Sequence, residues 1–135
     1  MGILIDASVL IEHERGRLNV VDVLEGLGEG EGFLSAVTAS ELLHGVHRTK
    51  DTTARTRRLA SVEALLGAFP ILPADKAVAR VHAHLWAHLA AAGTPIGVHD
   101  MWIAATCLAG SYSLVTGNLR EFVRVPGLMV HAAPS

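Results

Sequence analysis

The chain has 135 residues, half of them hydrophobic and only 4% aromatic, with a formal net charge of -2 and a pI near 6.4. That length suits one domain, residues 1–135, with a core of Leu, Val, Ile and Ala, and the slight acidity argues against a protein that coats nucleic acid by net charge alone. The single cysteine, Cys107, excludes an internal disulfide and fits a reducing cytoplasm, while Asp6 interrupts what would otherwise be the apolar run of a signal peptide.

Residues 2–6, GILID, predict a short buried strand. From Ser8, VLIEHER reads as a helical turn or two. LNVVDVLEGL (18–27) has helical apolar spacing and runs into the glycine-rich GEGEG. GFLSAV (32–37) predicts a second strand. TASELLHGVHRT (38–49) predicts a helix with a capping box, in which Thr38 caps and Glu41 returns to it. RTRRLASVEALLGAF (55–69) is amphipathic and helical, and PILPA (70–74) holds a third strand between prolines. ADKAVARVHAHLWAHLAAAG (74–93) is the longest helix, closed by Gly93 and Pro95. HDMWIAATCLAG (99–110) is a further helix, SLVTG (113–117) a strand, LREFVRV a turn or short helix, and GLMV (127–130) a last strand. The longest uncharged stretch, 101–119, changes pattern midway, as helix–turn–strand and not as a membrane span. The alternation predicts an α/β domain with a short, mostly parallel sheet flanked by helices.

In such a sheet, strand C-termini and helix N-termini gather on one edge, where ligands bind. Asp6 ends the first strand, Glu41 falls in the first turn of the helix after the second, Asp100 starts another helix, and Asn118 and Glu121 follow SLVTG. Ser8 and Thr116 add hydroxyls. The shared chemistry is hard oxygen, which suits Mg²⁺ or Mn²⁺ better than zinc. Each residue also has an ordinary reading. Asp6 is a good helix cap, Glu41 half of a capping box, Asp100 a partner for the positive helix end, Glu121 a solvated acid and Asn118 a turn residue. Singly these readings lead; together they leave the common edge unexplained.

Other signals carry less. His84 and His88 stand at i, i+4, but Leu85 occupies the place of the glutamate in a zinc-protease helix. Trp86 and Trp102 read as packing residues. His99, next to Asp100, reads as structural or surface rather than as a general acid.

The segments LIDASVLI, TASELLHG, HDMWIAATCLAG and LVTGNLREF, followed by VPGLMV, resemble PIN-domain ribonucleases, and more narrowly the VapC toxins of type II toxin–antitoxin pairs. The resemblance runs in order over nearly the whole chain. It implies a PIN-like three-layer sandwich and a metal-dependent endoribonuclease toxin that cleaves RNA phosphodiester bonds to inhibit translation. It maps the family's acidic site onto Asp6, Glu41 and Asp100, with Asn118 in the fourth position and Glu121 trailing. Asp6 and Asp100 are the implied metal ligands, for Mg²⁺ or Mn²⁺, and Ser8 and Thr116 match the accessory hydroxyls. Many family members carry Asp where Asn118 stands, and an amide adds no negative charge. Five of the 11 Lys and Arg residues, Arg48, Lys50, Arg55, Arg57 and Arg58, fall within 48–58. They would hold the RNA backbone; a solvated helix face is the competing reading. Arg120 and Arg124 are further candidates. The implied partners are a VapB-type antitoxin and a second copy of the chain, with no membrane. Two other functions stay open: a non-catalytic PIN-like partner-binding module, favoured by Asn118, and another Mg²⁺-dependent phosphohydrolase.

Overall fold

Three residues set the layering. In β1 (Ile3–Ile5) successive side chains leave opposite faces of the sheet, and all three are buried. Ile3 and Ile5 pack with α1 (Ala7–Glu14), α2 (Val20–Gly26), α3 (Ala36–His47) and α4 (Thr52–Ala68). Leu4 packs with α5 (Lys76–Ala92) and α6 (Val98–Gly110). β4 (Ser113–Thr116) repeats the alternation, Val115 towards the first group and Leu114 towards the second. Helices therefore cover both faces of one sheet in this computed structural model, which describes residues 2–28 and 31–134. Two residues of GEGEG, Glu29 and Gly30, lie outside the described residues.

The sheet is completed by β2 (Gly32–Ser35), β3 (Ile71–Leu72) and β5 (Val130–Ala132), in the order β3-β2-β1-β4-β5. Every pairing is parallel. From β1 the chain moves outward through β2 to β3, then returns to the other side as β4. The carboxyl ends of β1 and β4 thus flank the topological switch point, where an open parallel sheet leaves a crevice. The turn after β4 enters α7 (Leu119–Phe122). Phe122 is fully buried, an anchor of about 2–3 kcal/mol for that loop.

The predicted elements are all present, with shifted ends. α3 starts two residues before the predicted 38, because Ser35, and not Thr38, is its cap: the Ser35 side chain accepts from Thr38 N at 3.0 Å. Thr38 is itself buried, its Oγ1 accepting from Ser35 Oγ at 3.1 Å. α4 starts at Thr52, since Asp51 caps it through Ala54 N at 2.8 Å. The last strand begins at Val130, not 127, because Gly127 has φ +79°, a left-handed turn conformation that a strand does not take. Trp102 packs face to face on His82, with centroids 3.7 Å apart, but Trp86 is 60% exposed and is not a core residue. Among the described residues no helix is long and apolar enough to cross a membrane.

Candidate active site

Asp6 is the first residue after β1, and it serves both readings made from the sequence. Its Oδ1 caps α1 by accepting from Ala7 N at 2.9 Å. Its Oδ2 accepts from Ser8 Oγ at 2.8 Å and from Thr116 Oγ1 at 2.7 Å. Each hydroxyl is held in turn by a backbone donor from the β4–α7 loop: Gly117 N to Ser8 Oγ at 3.0 Å, and Asn118 N to Thr116 Oγ1 at 2.8 Å. Protons therefore point inward, from backbone to hydroxyl to carboxylate. Asp6 is only 5% exposed, and this relay fixes it across the β1–β4 seam.

Two more carboxylates feel the charge of Asp6, and a third stands beside Asp100. Glu41 lies in the second turn of α3, not the first, so the capping-box role fails and its side chain stays available to the crevice. Burial raises its pKa, Asp6 and Asp100 push it higher, and His99 opposes them. Asp100 sits in the first turn of α6, whose cap, Gly97, supplies no side chain. Its pKa is pushed up to about 6, mainly by burial, then by the charges of Asp6 and Glu121. Glu121 stands in α7, its Oε2 buried without a hydrogen bond and 3.9 Å from Arg124 Nη1. Asn118 caps α7 in position only: its side chain is exposed and makes no cap bond.

The structure thus links Asp6, Ser8 and Thr116 by hydrogen bonds and brings Glu41 and Asp100 close enough to feel the charge of Asp6 and of each other, and Glu121 that of Asp100, while the Asn118 side chain is exposed. His99, read from the sequence as structural or surface, is exposed but reaches the site: its Nδ1 is 3.9 Å from Glu41 Oε2. Arg124 donates to Pro95 O at 2.9 Å and so ties α7 to the α5–α6 turn. The basic window falls at the junction of α3 and α4, and two of its members hold backbone. Arg55 donates from Nε to Thr49 O at 3.0 Å. Arg58 donates from Nη1 to Gly45 O at 3.1 Å, with its Nε 3.7 Å from Glu14 Oε2. A Cβ at Gly45 would lie 2.8 Å from Arg58 Nη2, so the guanidinium would have to shift. Arg58→Ala strips Glu14 of its partner, and that side chain is only 10% exposed. The variant is expected to lose about 2 kcal/mol of stability by urea unfolding. An unchanged midpoint would show that the contact contributes nothing.

Fold and crevice together define a PIN-domain protein: the PIN domain family model matches residues 3–128. Ribonuclease VapC1 of Rickettsia felis is 36% identical over 130 residues, spanning 96% of this chain and 95% of that protein. The DNA-bound VapBC of Salmonella typhimurium superposes with a TM-score of 0.87 at 28% identity, over 98% of both chains. VapBC-5 of Mycobacterium tuberculosis, a member of the VapBC family of toxin–antitoxin systems, gives 0.75 at 30% identity over 99% of this chain and 98% of that one. The chain belongs to the VapC family of PIN-domain proteins.

Proposed function

We propose that this protein is a divalent-metal-dependent endoribonuclease, a toxin of about 135 residues working as a single PIN domain. It cleaves RNA phosphodiester bonds, inhibits translation and is neutralised by a VapB-type antitoxin. One observation carries the reading: Asp6, Glu41, Asp100 and Glu121, from separate parts of the chain, converge at the switch point, and burial first, then neighbouring carboxylates, raises the pKa of Glu41 and Asp100.

The residues fit a hard cation. Their donors are oxygen, and Glu41 Oε1 and Glu121 Oε2 are buried acceptors without a hydrogen-bond partner, a cost that a cation or its water removes. Among the described residues no three ligating side chains close on a single point. Mg²⁺ and Mn²⁺ tolerate that, since they bind through one or two carboxylates and keep several waters. Asp6 and Asp100 would hold the ion. When bound, it lowers the pKa of water and stabilises the charge that gathers on the phosphoryl oxygens.

The chain's own residues do the rest. Ser8 and Thr116 hold Asp6 in one orientation. Glu41 Oε1, lacking a partner, accepts a proton from the attacking water. Asn118 offers an amide oxygen without charge, and Glu121 supplies the negative charge beside it. We infer a cytoplasmic homodimer that the antitoxin converts to a hetero-oligomer.

Purified, antitoxin-free protein is expected to cut single-stranded RNA in Mg²⁺ or Mn²⁺, to stop in chelator, to resume when metal is restored, and to spare p-nitrophenyl phosphate. RNA that is bound but never cut would replace the nuclease by a partner-binding module, the reading Asn118 favours. Hydrolysis of the small ester with RNA untouched would replace it by another phosphohydrolase.

A further inference from the structure

A groove leaves the acidic crevice at Glu41 and His99 and runs along α1 and α3 towards the start of α4. Its volume is about 730 Å³. A second cavity of about 360 Å³ shares Ile11, Arg15 and Arg58 with it and extends it to Arg57. Glu41 lies at one end of this path; Arg15, Arg48 and Arg57 lie towards the other, where the one lining carboxylate, Glu14, is paired with Arg58.

Helical spacing puts these cations on the groove. Ala7, Ile11 and Arg15 follow one another at intervals of four along α1, and Glu41, His44 and Arg48 at three and four along α3. Of the basic window, Arg55 and Arg58 are spent on backbone carbonyls. Arg48 and Arg57 are exposed, and their side chains make no hydrogen bond or ion pair among the described residues. Arg15 has only an i, i+3 pair with Glu12, 3.5 Å apart and 60% exposed on the arginine side. Such a pair is weak and easily exchanged for a phosphate.

An open trough with unpaired guanidinium groups, continuous with a crevice suited to a phosphodiester, fits a polyanion that extends beyond the reacting bond. The geometry points to this groove as the track of the RNA strand flanking the scissile phosphate: Arg15, Arg48 and Arg57 grip its phosphates, and Arg58 is a wall held by Gly45 and Glu14. This assignment rests on the ribonuclease reading. It selects two members of the basic window, sets Arg58 aside, and adds Arg15.

The test uses two backgrounds. In Asp100→Asn, binding of a single-stranded RNA oligonucleotide is read against salt. Each of Arg15→Ala, Arg48→Ala and Arg57→Ala is expected to reduce the slope of log affinity against log salt by roughly 0.7. In the otherwise native chain the same changes raise KM several-fold and leave kcat little altered. Lysine at these positions restores both readouts, which a folding defect would not allow. Arg80→Ala, on α5 across the sheet, changes neither.

If the native chain cuts RNA but the triple alanine variant keeps its slope and KM, the groove assignment is overturned and the ribonuclease stands. If that variant keeps its slope and KM but no longer binds the antitoxin, the groove belongs to the protein partner and the assignment is equally overturned. If the native chain cuts nothing while Asp100→Asn binds RNA with arginine-dependent slope, the ribonuclease reading falls and the groove remains an RNA site.

Discussion

Asp6→Asn is expected to reduce RNA cleavage at least about a thousandfold while the fold persists. The change removes the charge that most opposes Glu41 and Asp100 after burial itself. It also breaks the hydrogen-bond relay by a simple count. Asp6 accepts from three donors: Ala7 N on one oxygen, Ser8 Oγ and Thr116 Oγ1 on the other. An amide has one acceptor oxygen and one NH₂, so either the helix cap or the two hydroxyls face a donor. The melting transition is expected to fall by only about 1–2 kcal/mol, which far-UV circular dichroism and thermal unfolding read separately from activity. Thr116→Val removes one donor without touching a carboxylate and is expected to cost about 10–100-fold in rate, whereas Thr116→Ser keeps the hydroxyl and stays near native. Full cutting by Asp6→Asn in metal-restored samples would remove the crevice from the chemistry.

Much of this is legible in the sequence. The layering follows from ILI and SLVT, whose alternating apolar residues have somewhere to go on both faces. The crevice follows from acids placed where strands end. The cap of α3 was not legible, because Ser35 and Thr38 both have the right chemistry three residues apart, and β-branched Val37 extends the apparent strand. Only the backbone shows that Ser35 Oγ takes the Thr38 amide, and that shift moves Glu41 from a cap into the site. The basic window was only partly legible. Charge density marks 48–58, but whether an arginine is free or is buttressing a turn depends on which carbonyls lie beside it. Arg58 meets Gly45 across 13 residues, and no local pattern announces that. Arg15, which the proposed groove adds, does not stand out in the sequence although it shares a helical stripe with Ala7 and Ile11, since a lone arginine at a helix end is ordinary helix chemistry.

Asp100→Asn is expected to separate stability from activity: cleavage is lost, yet the metal-free protein becomes more stable above pH 6. Asp100 has its pKa pushed up from 3.8 to about 6 in the folded chain. Below 3.8 the folded and unfolded chains both hold the proton, and no penalty exists. As pH rises towards 6, the unfolded chain ionises first, so folding becomes progressively less favourable. Above 6 the folded chain is ionised too, and the penalty is complete and constant. The shift corresponds to about 3 kcal/mol at face value, reduced to about 1–2 kcal/mol because water reaches the half-buried carboxyl and screens its neighbours. Melting curves of the two proteins in chelator should therefore coincide near pH 4 and part by that amount at pH 7.5. Adding Mg²⁺ or Mn²⁺ at pH 7.5 should raise the native melting temperature and leave Asp100→Asn nearly unmoved, because the cation offsets the burial and the repulsion of a charge the variant no longer has. A native protein at least as stable as Asp100→Asn in chelator at pH 7.5, and indifferent to either metal, would mean that neither burial nor its neighbours penalise the Asp100 charge, and the strongest physical reason for a cation in the crevice would be gone.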